Sequence, residues 1–375
     1  MTDSSINASI AWADPARAAD FSDWLAHVAG PHRLQPGSVR LASADASFRR
    51  YFRIDGLDEA GQPVTLIIMD APPAQEDCKP FAAVARLMAE AGVNAPAVLA
   101  WDEPRGFMLL DDLGSKTMLE VIKPPMGVLD LAMPTQADYA LFLQAIDALV
   151  TWQAASKPGV LPPYDEALLR RELNLFPDWY VEKYRGIPVD AELRGKFDGF
   201  FAQIIDSNLN ALGGARVYVH RDFMPRNLMV ASSGPVAEGR AAPLGVLDFQ
   251  DAVYGPITYD IASLMRDAFI SWDEDFVLDI TIRYWEKARK AGLPVGDDFG
   301  EFYRAVEWMA LQRHLKILGI FARLTLRDGK GKYLADTPRF IRYVRNTAAR
   351  YRQLGPLMVL LDSIEGNETR IGYTF

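Results

Sequence analysis

The stretch VYVHRDFMPRNLMV, Val217 to Val230, sets a histidine, an aspartate, two arginines and an asparagine between two aliphatic runs. A strand that breaks into so dense a polar loop is either an unusual turn or a loop built for chemistry. Downstream, LMVASSGPVAEGRAAPLGVLDFQD repeats the aliphatic pattern, with Leu228–Ala231 and Leu244–Leu247 flanking a Gly/Pro/Ser-rich turn. That pattern reads as a hairpin. In an antiparallel pair the start of one strand lies beside the end of the other, so the hairpin predicts Asn227 next to Asp248, with Asp222 near both. Two carboxylates and one amide are all oxygen donors. They suit a hard cation such as Mg2+, which takes one or two carboxylates and completes its shell from phosphates and water. Zinc would ask for nitrogen and sulfur. One carboxylate remains to orient a hydroxyl and accept its proton, and a metal beside a base is the inventory of phosphoryl transfer.

The surrounding elements must position these groups. DPARAADFSDWLAHVAG has helical spacing and ends at Gly30-Pro31, so a helix precedes the first sheet. SFRRYFRIDG and VTLIIMDAPP are strand-like runs joined by the turn LDEAGQP, and Pro80 to Ala91 reads as an amphipathic helix ending at Gly92. Two more strands, AVLAWD and GFMLLDDL, complete a small antiparallel sheet. Beyond the pivot at Gly114 long helices take over: Ala137–Ala155, Glu166–Tyr184, Ala191–Ala211, then Ser271–Ala291, Phe299–Leu326 and Pro338–Leu354. The expected architecture is α+β and two-lobed, with a sheet-containing N-lobe over residues 1–113 and a mainly helical C-lobe over 114–375. No internal repeat or low-complexity tract interrupts it.

Composition narrows the partners. The 375 residues are 50% hydrophobic and 24% charged, the balance of a soluble globular protein. A net charge of −9 speaks against nucleic acid, whose phosphates need clustered lysine and arginine. Cys78 is the single cysteine, which excludes an internal disulfide and a cysteine-rich zinc site. The first residues lack the basic-then-apolar pattern of a secretory signal, and no apolar run approaches the ~20 residues needed to span a bilayer. A cytoplasmic enzyme is expected, acting on a small molecule, with neither a membrane nor an obligate protein partner.

HRDFMPRN matches the kinase catalytic-loop pattern H-R-D-x-x-x-x-N, and LDFQ stands where the metal-binding D-F-G lies. The continuation DFQDAVYGPITYDIASLMRDAF resembles the aminoglycoside phosphotransferase family, kinase-like enzymes that act on small molecules. With MDAPP, the text from Asp248 to Phe269 looks most like the cell-wall-recycling sugar kinases, which phosphorylate N-acetylmuramate and N-acetylglucosamine at the anomeric hydroxyl. The resemblance implies a protein-kinase-like fold, ATP and Mg2+ as cofactors, Asp222 as the catalytic base, and Asn227 and Asp248 as metal ligands. It also implies that Asp260 opens a C-lobe helix and braces the catalytic loop. His220 is expected to pack and hydrogen-bond the loop rather than to carry protons.

The pattern departs from the family in the N-lobe. A lysine on the third strand normally reaches the α- and β-phosphates, and here Met69 or Asp70 occupies that place. Arg49 and Arg50 are the candidate replacements, with Ser47 in the preceding loop, Ser43 to Ser47, which the family lays over the phosphates; Arg226 is a second candidate, since the polar loop carries Met224 where protein kinases often have lysine. Strand alternation puts Arg49, Tyr51 and Arg53 on one face and Phe48, Arg50 and Phe52 on the other. Met108 and Leu110 fall where the family holds adenine, although ordinary strand core accounts for them too. For the acceptor sugar, Arg226, Arg266, Arg313 and Lys316 are the candidate cations, since the N-acetylmuramate carboxylate invites one. Tyr254 and Trp272 could stack on its ring. Rival readings are a kinase of another hydroxyl acceptor (an aminoglycoside, choline or an amino acid) and a non-catalytic nucleotide-binding scaffold. The triad of Asp222, Asn227 and Asp248 favours catalysis.

Overall fold

The structure, a computed structural model, describes residues 10–44, 48–231 and 242–366. Its two compact units are Met1–Lys116 with Met229–Asp251, and Thr117–Leu228 with Ala252–Phe375.

The first unit opens with α1 (Pro15–Ala29). Asp14 accepts the Ala16 amide at 2.9 Å, and Pro15 occupies the first turn, where a missing N–H costs nothing. Five strands follow, β1 (Arg40–Ala44), β2 (Arg50–Leu57), β3 (Pro63–Asp70), β4 (Val98–Asp102) and β5 (Phe107–Asp111), with α2 (Lys79–Ala91) between β3 and β4. The sheet is antiparallel in the order β1-β2-β3-β5-β4. Four strands were expected. The extra one, β1, takes up the start of the supposed phosphate loop, because Ser43 and Ala44 pair with Tyr51 and Arg50. Its short sequence RLASA lacks the aliphatic alternation by which a strand is recognised.

One face of this sheet meets α1. Phe21, Trp24 and Leu25 pack on Phe52, Ile54, Ile68, Phe107 and Leu109, and Trp24 stacks on Phe107 with ring centroids 5.3 Å apart. Each such side chain contributes roughly 1.5–3 kcal/mol when fully buried. The core therefore fixes the strand phase: with Phe52 and Ile54 turned to α1, Tyr51 and Arg53 must point to the opposite face. The register lines up Tyr51, Met69 and Met108 across three strands, and Arg53, Ile67 and Leu110 beside them.

Among the described residues five short strands follow: β6 (Lys116–Thr117), β7 (Arg216–Val219), β8 (Leu228–Val230), β9 (Gly245–Val246) and β10 (Val253–Pro256). β7 pairs with β10, and β6, β8 and β9 form a small sheet in that order. The two aliphatic runs of the expected hairpin are neighbours in that sheet as β8 and β9, and the turn between them lies outside the described residues.

The second unit is helical: α3 (Met118–Ile122), α4 (Gln136–Ala154), α5 (Glu166–Leu173), α6 (Ala191–Asn210), α7 (Thr258–Met265), α8 (Glu274–Lys290), α9 (Phe299–Leu326), α10 (Thr337–Arg350) and α11 (Gly355–Glu365). The 28-residue α9 is buried around most of its circumference, including Arg313, His314 and Lys316. Gly319 lets it approach the chain closely, since a Cβ there would stand 2.3 Å from the Leu175 backbone. The single helix expected over Glu166–Tyr184 is instead α5 followed by a π-helical stretch, Phe176–Tyr184. Pro177 withholds an amide from the α ladder, and the wider hydrogen-bond register takes over. α8 begins at Glu274 rather than Ser271, because the Asp273 carboxylate caps it by accepting the Phe276 amide at 2.8 Å. α11 was not anticipated: the last expected helix ends at Leu354, and Pro356 in the first turn starts another. Among the described residues no helix is long and apolar enough to cross a membrane.

Candidate active site

The polar loop that follows β7 is held by its neighbours in the second unit. Asp260, in the first turn of α7 and wholly buried, accepts the backbone amides of His220 at 2.7 Å and Arg221 at 3.0 Å. Burial pushes its carboxyl up to about 7, although both amide bonds oppose the rise. His220 is buried as well, and its Nδ1 accepts the Asp222 amide at 3.2 Å. Asn227 donates Nδ2 to the Asp222 carbonyl at 2.9 Å, which turns its Oδ1 away from that carbonyl. Backbone bonds thus tie Asp222 and Asn227 to one rigid turn.

Arg221 has φ 78°, a left-handed conformation that glycine adopts freely and arginine does not. Such strain costs about 1–3 kcal/mol. Its guanidinium reaches Glu172 of α5 at 2.5 Å, and Arg313 donates to its carbonyl at 2.7 Å. Glu172 also receives Lys316 at 2.9 Å, Tyr164 at 2.5 Å and Gln312 at 3.1 Å. Burial pushes the Glu172 carboxyl up, but Lys316, Arg221 and the Tyr164 bond outweigh it and hold the group at about 2. Nothing in RREL, a glutamate between an arginine and a leucine of a charged helix, singles this residue out in the sequence.

The sugar-binding candidates disperse. Arg313 and Lys316 are buried; Arg313 lies over the Tyr259 ring at 4.6 Å, and Lys316 donates to the Tyr259 hydroxyl at 3.1 Å. Arg266 bonds both oxygens of Glu274 at 2.8 Å and the Tyr303 hydroxyl at 3.1 Å. Trp272 packs into an aromatic cluster with Phe142 and Phe276, centroids 5.5 and 4.6 Å away. Tyr254 belongs to β10, where it faces Tyr218 across the strand pair. Arg226 lies over Phe269 at 5.3 Å, which puts the loop between Arg266 and Asp273 beside the polar turn.

In the first unit Asp248 is exposed and has φ 63°, a conformation that aspartate tolerates better than most residues. Gln250 donates to its Oδ1 at 2.9 Å, and the next residue, Phe249, is buried against Phe81 of α2 at 4.9 Å. The arginines in and just before β2 find different partners. Arg50 lies on the α1 side, where it and Arg17 grip the two oxygens of buried Asp70, at 2.5 and 2.6 Å. Arg49 pairs with Glu76 at 3.1 Å, and Arg53 bonds Asp112 at 2.5 Å and the Gly114 carbonyl at 2.8 Å. Met108 and Leu110 are buried strand residues, and Ser47 lies outside the described residues.

Among the described residues no three histidine, cysteine, aspartate or glutamate side chains gather as a metal cage. Magnesium needs none when phosphates and water fill its shell, and the amide oxygen of Asn227 and the carboxylate of Asp248 are donors of the right hardness.

A sequence profile of the phosphotransferase enzyme family matches residues 38–297. The N-acetylmuramate/N-acetylglucosamine kinase of Pseudomonas aeruginosa is 47% identical over 331 residues, 88% of this chain and 90% of that one. The protein of the same name from Neisseria meningitidis serogroup B is 48% identical over 339 residues, 90% of this chain and 94% of that one. Among solved structures, choline kinase from Cryptosporidium parvum superposes with a TM-score of 0.58 at 12% identity, over 91% of this chain and 99% of that one. An amicoumacin kinase in complex with AMP-PNP, Ca2+ and Ami gives 0.54 at 15% identity, over 88% and 94%. At such identities these structures speak for the kinase-like α+β fold alone.

Proposed function

The chain belongs to the phosphotransferase enzyme family, and from that premise we propose that it transfers the γ-phosphate of ATP to the anomeric hydroxyl of N-acetylmuramate or N-acetylglucosamine. The choice of acceptor is carried by the 47% and 48% identity, across most of both chains, to kinases named for these two sugars. That both sugars are cell-wall components supports a role in peptidoglycan recycling, and the need for ATP supports a cytoplasmic reaction.

In this reading Asp222 lies within hydrogen-bond reach of the sugar O1–H and accepts its proton as O1 attacks the γ-phosphorus and the bond to ADP breaks. The bonds from Asp260, His220 and Asn227 keep that carboxylate where the hydroxyl arrives, so little reorganisation is left for the transfer itself. Asn227 and Asp248 would hold Mg2+, which neutralises charge on the phosphates.

Arg49 takes over from the missing lysine. Arg50 is engaged by Asp70, whereas Arg49, just before β2, turns to Glu76. Its partner Glu76 holds it as a glutamate holds the phosphate-binding lysine in protein kinases. The test is ADP release with Mg2+-ATP and a panel of N-acetylmuramate, N-acetylglucosamine, choline and an aminoglycoside. Turnover confined to the two amino sugars supports the reading, and turnover confined to choline or the aminoglycoside overturns it.

A further inference from the structure

The residue that leads into Asp222 is gripped from three helices. Its amide goes to Asp260 of α7, its carbonyl to Arg313 of α9, and its guanidinium to Glu172 of α5. The backbone at this position, φ 78°, is one that glycine would take without strain. What the arginine adds is its side chain, which reaches Glu172. Without this carboxylate, three cations, Arg221, Arg313 and Lys316, would crowd the buried floor of the loop. Asp260, whose carboxyl burial pushes up to about 7, would be a poor counter-charge there.

We infer that Glu172 is a positioning residue for the phosphoryl transfer: by binding Arg221 and Lys316 beneath the loop, it fixes the peptide that carries Asp222. This rests on the proposed kinase reading for its effect on rate, but not for its effect on the loop. Glu172 need touch neither nucleotide nor sugar. Its carboxylate is filled by Arg221, Lys316, Tyr164 and Gln312.

Glu172→Gln keeps the shape and removes the charge, and Glu172→Asp keeps the charge on a shorter stem. Hydrogen exchange is followed on the peptide spanning Val217–Asn227 and on α6, which serves as a reference in the same unit. With Gln, exchange in the loop should rise at least ~10-fold while α6 changes by less than ~2-fold. In the same preparation kcat should fall ~10–100-fold, with KM for ATP and sugar within ~3-fold. Glu172→Asp should recover part of both effects. Adding Arg221→Gly to Glu172→Gln should cost less than the product of the two single losses, because it removes the stranded cation and the strained φ together. Uniform loosening of loop and α6, or an unchanged kcat per folded molecule, would show Glu172 to be packing alone and overturn the inference. If Glu172→Gln does not fold, Glu172→Asp decides by the same two readouts. Should the wild type turn over no sugar, the kinase reading fails, and the exchange ratio still decides the role of Glu172 in the loop.

Discussion

Asp70 stands at the end of β3, and replacing it by asparagine separates a structural role from a catalytic one. The carboxylate is wholly buried and accepts four bonds: Arg17 Nε and Nη2 at 2.9 and 2.6 Å, and Arg50 Nε and Nη2 at 3.0 and 2.5 Å. Asparagine can serve only one guanidinium, and its NH2 group faces the donors of the other. The two bonds lost to that guanidinium are charge-assisted and worth about 1.5–3 kcal/mol each. The arginine side chains are 13% and 29% exposed, so water recovers part of the loss. A net cost of about 2–4 kcal/mol remains. It should fall on the first unit, because Arg17 ties α1 to the sheet and lies 3.9 Å over Phe107 in the core. Hydrogen exchange of the β2 and β3 amides reads this directly: at about 1.4 kcal/mol per tenfold, protection should drop ~30- to 1,000-fold. Near saturating ATP, in conditions where the variant stays folded, kcat should remain within ~3-fold. Unchanged protection in β2 and β3, or loss of ATP binding with the sheet intact, would refute the assignment of Asp70 to the N-terminal brace.

Asp222→Ala should lower kcat ~10²–10⁴-fold, the range for a positioned general base, while calorimetry finds ATP affinity little changed. Arg49→Ala should weaken ATP ~10–100-fold, the value of one charge-assisted bond, and Arg226→Ala should not; equal behaviour of the two would remove Arg49 from the phosphate site. Asp267 supplies a test in pH. Burial pushes its carboxyl from the ordinary 3.8 up to about 6, with the bonds from the Phe269 and Ile270 amides opposing. The folded state thus keeps a proton that the unfolded chain releases, so this stability is present at low pH and lost as pH rises through about 6. Asp267→Asn retains an oxygen for both amides. Its stability relative to wild type should improve by about 2 kcal/mol between pH 4.5 and 7.5. A constant difference in chemical unfolding across that range would contradict the buried-carboxyl argument.

The parts legible in the sequence are those whose signal is local. Pro15, the apolar spacing of α1 and the left-handed Gly92 mark helix ends within a few residues of where they fall. The polar loop announces itself by composition, and the pairing of β8 with β9 follows from two aliphatic runs around a turn. What stayed hidden depends on partners distant in the chain. Arg50 and Arg49 are adjacent and alike, and only the strand phase, set by Phe52 packing under α1, sends one to Asp70 and leaves the other with Glu76. Arg313 and Lys316 read as surface charges at helical spacing, yet α9 is central to its unit and buries both. Glu172 carried no mark at all, since its four partners come from 8 to 144 positions away.

The central claim is that the anomeric hydroxyl of an amino sugar receives the phosphate, and phosphorus NMR of the product tests it most directly. N-acetylglucosamine incubated with Mg2+-ATP and the protein should give a phosphorus signal coupled to the single anomeric proton, and the matching methyl glycoside, whose O1 is capped, should give none. A phosphorus coupled to the two protons at C6, or phosphorylation of the methyl glycoside, would contradict the account.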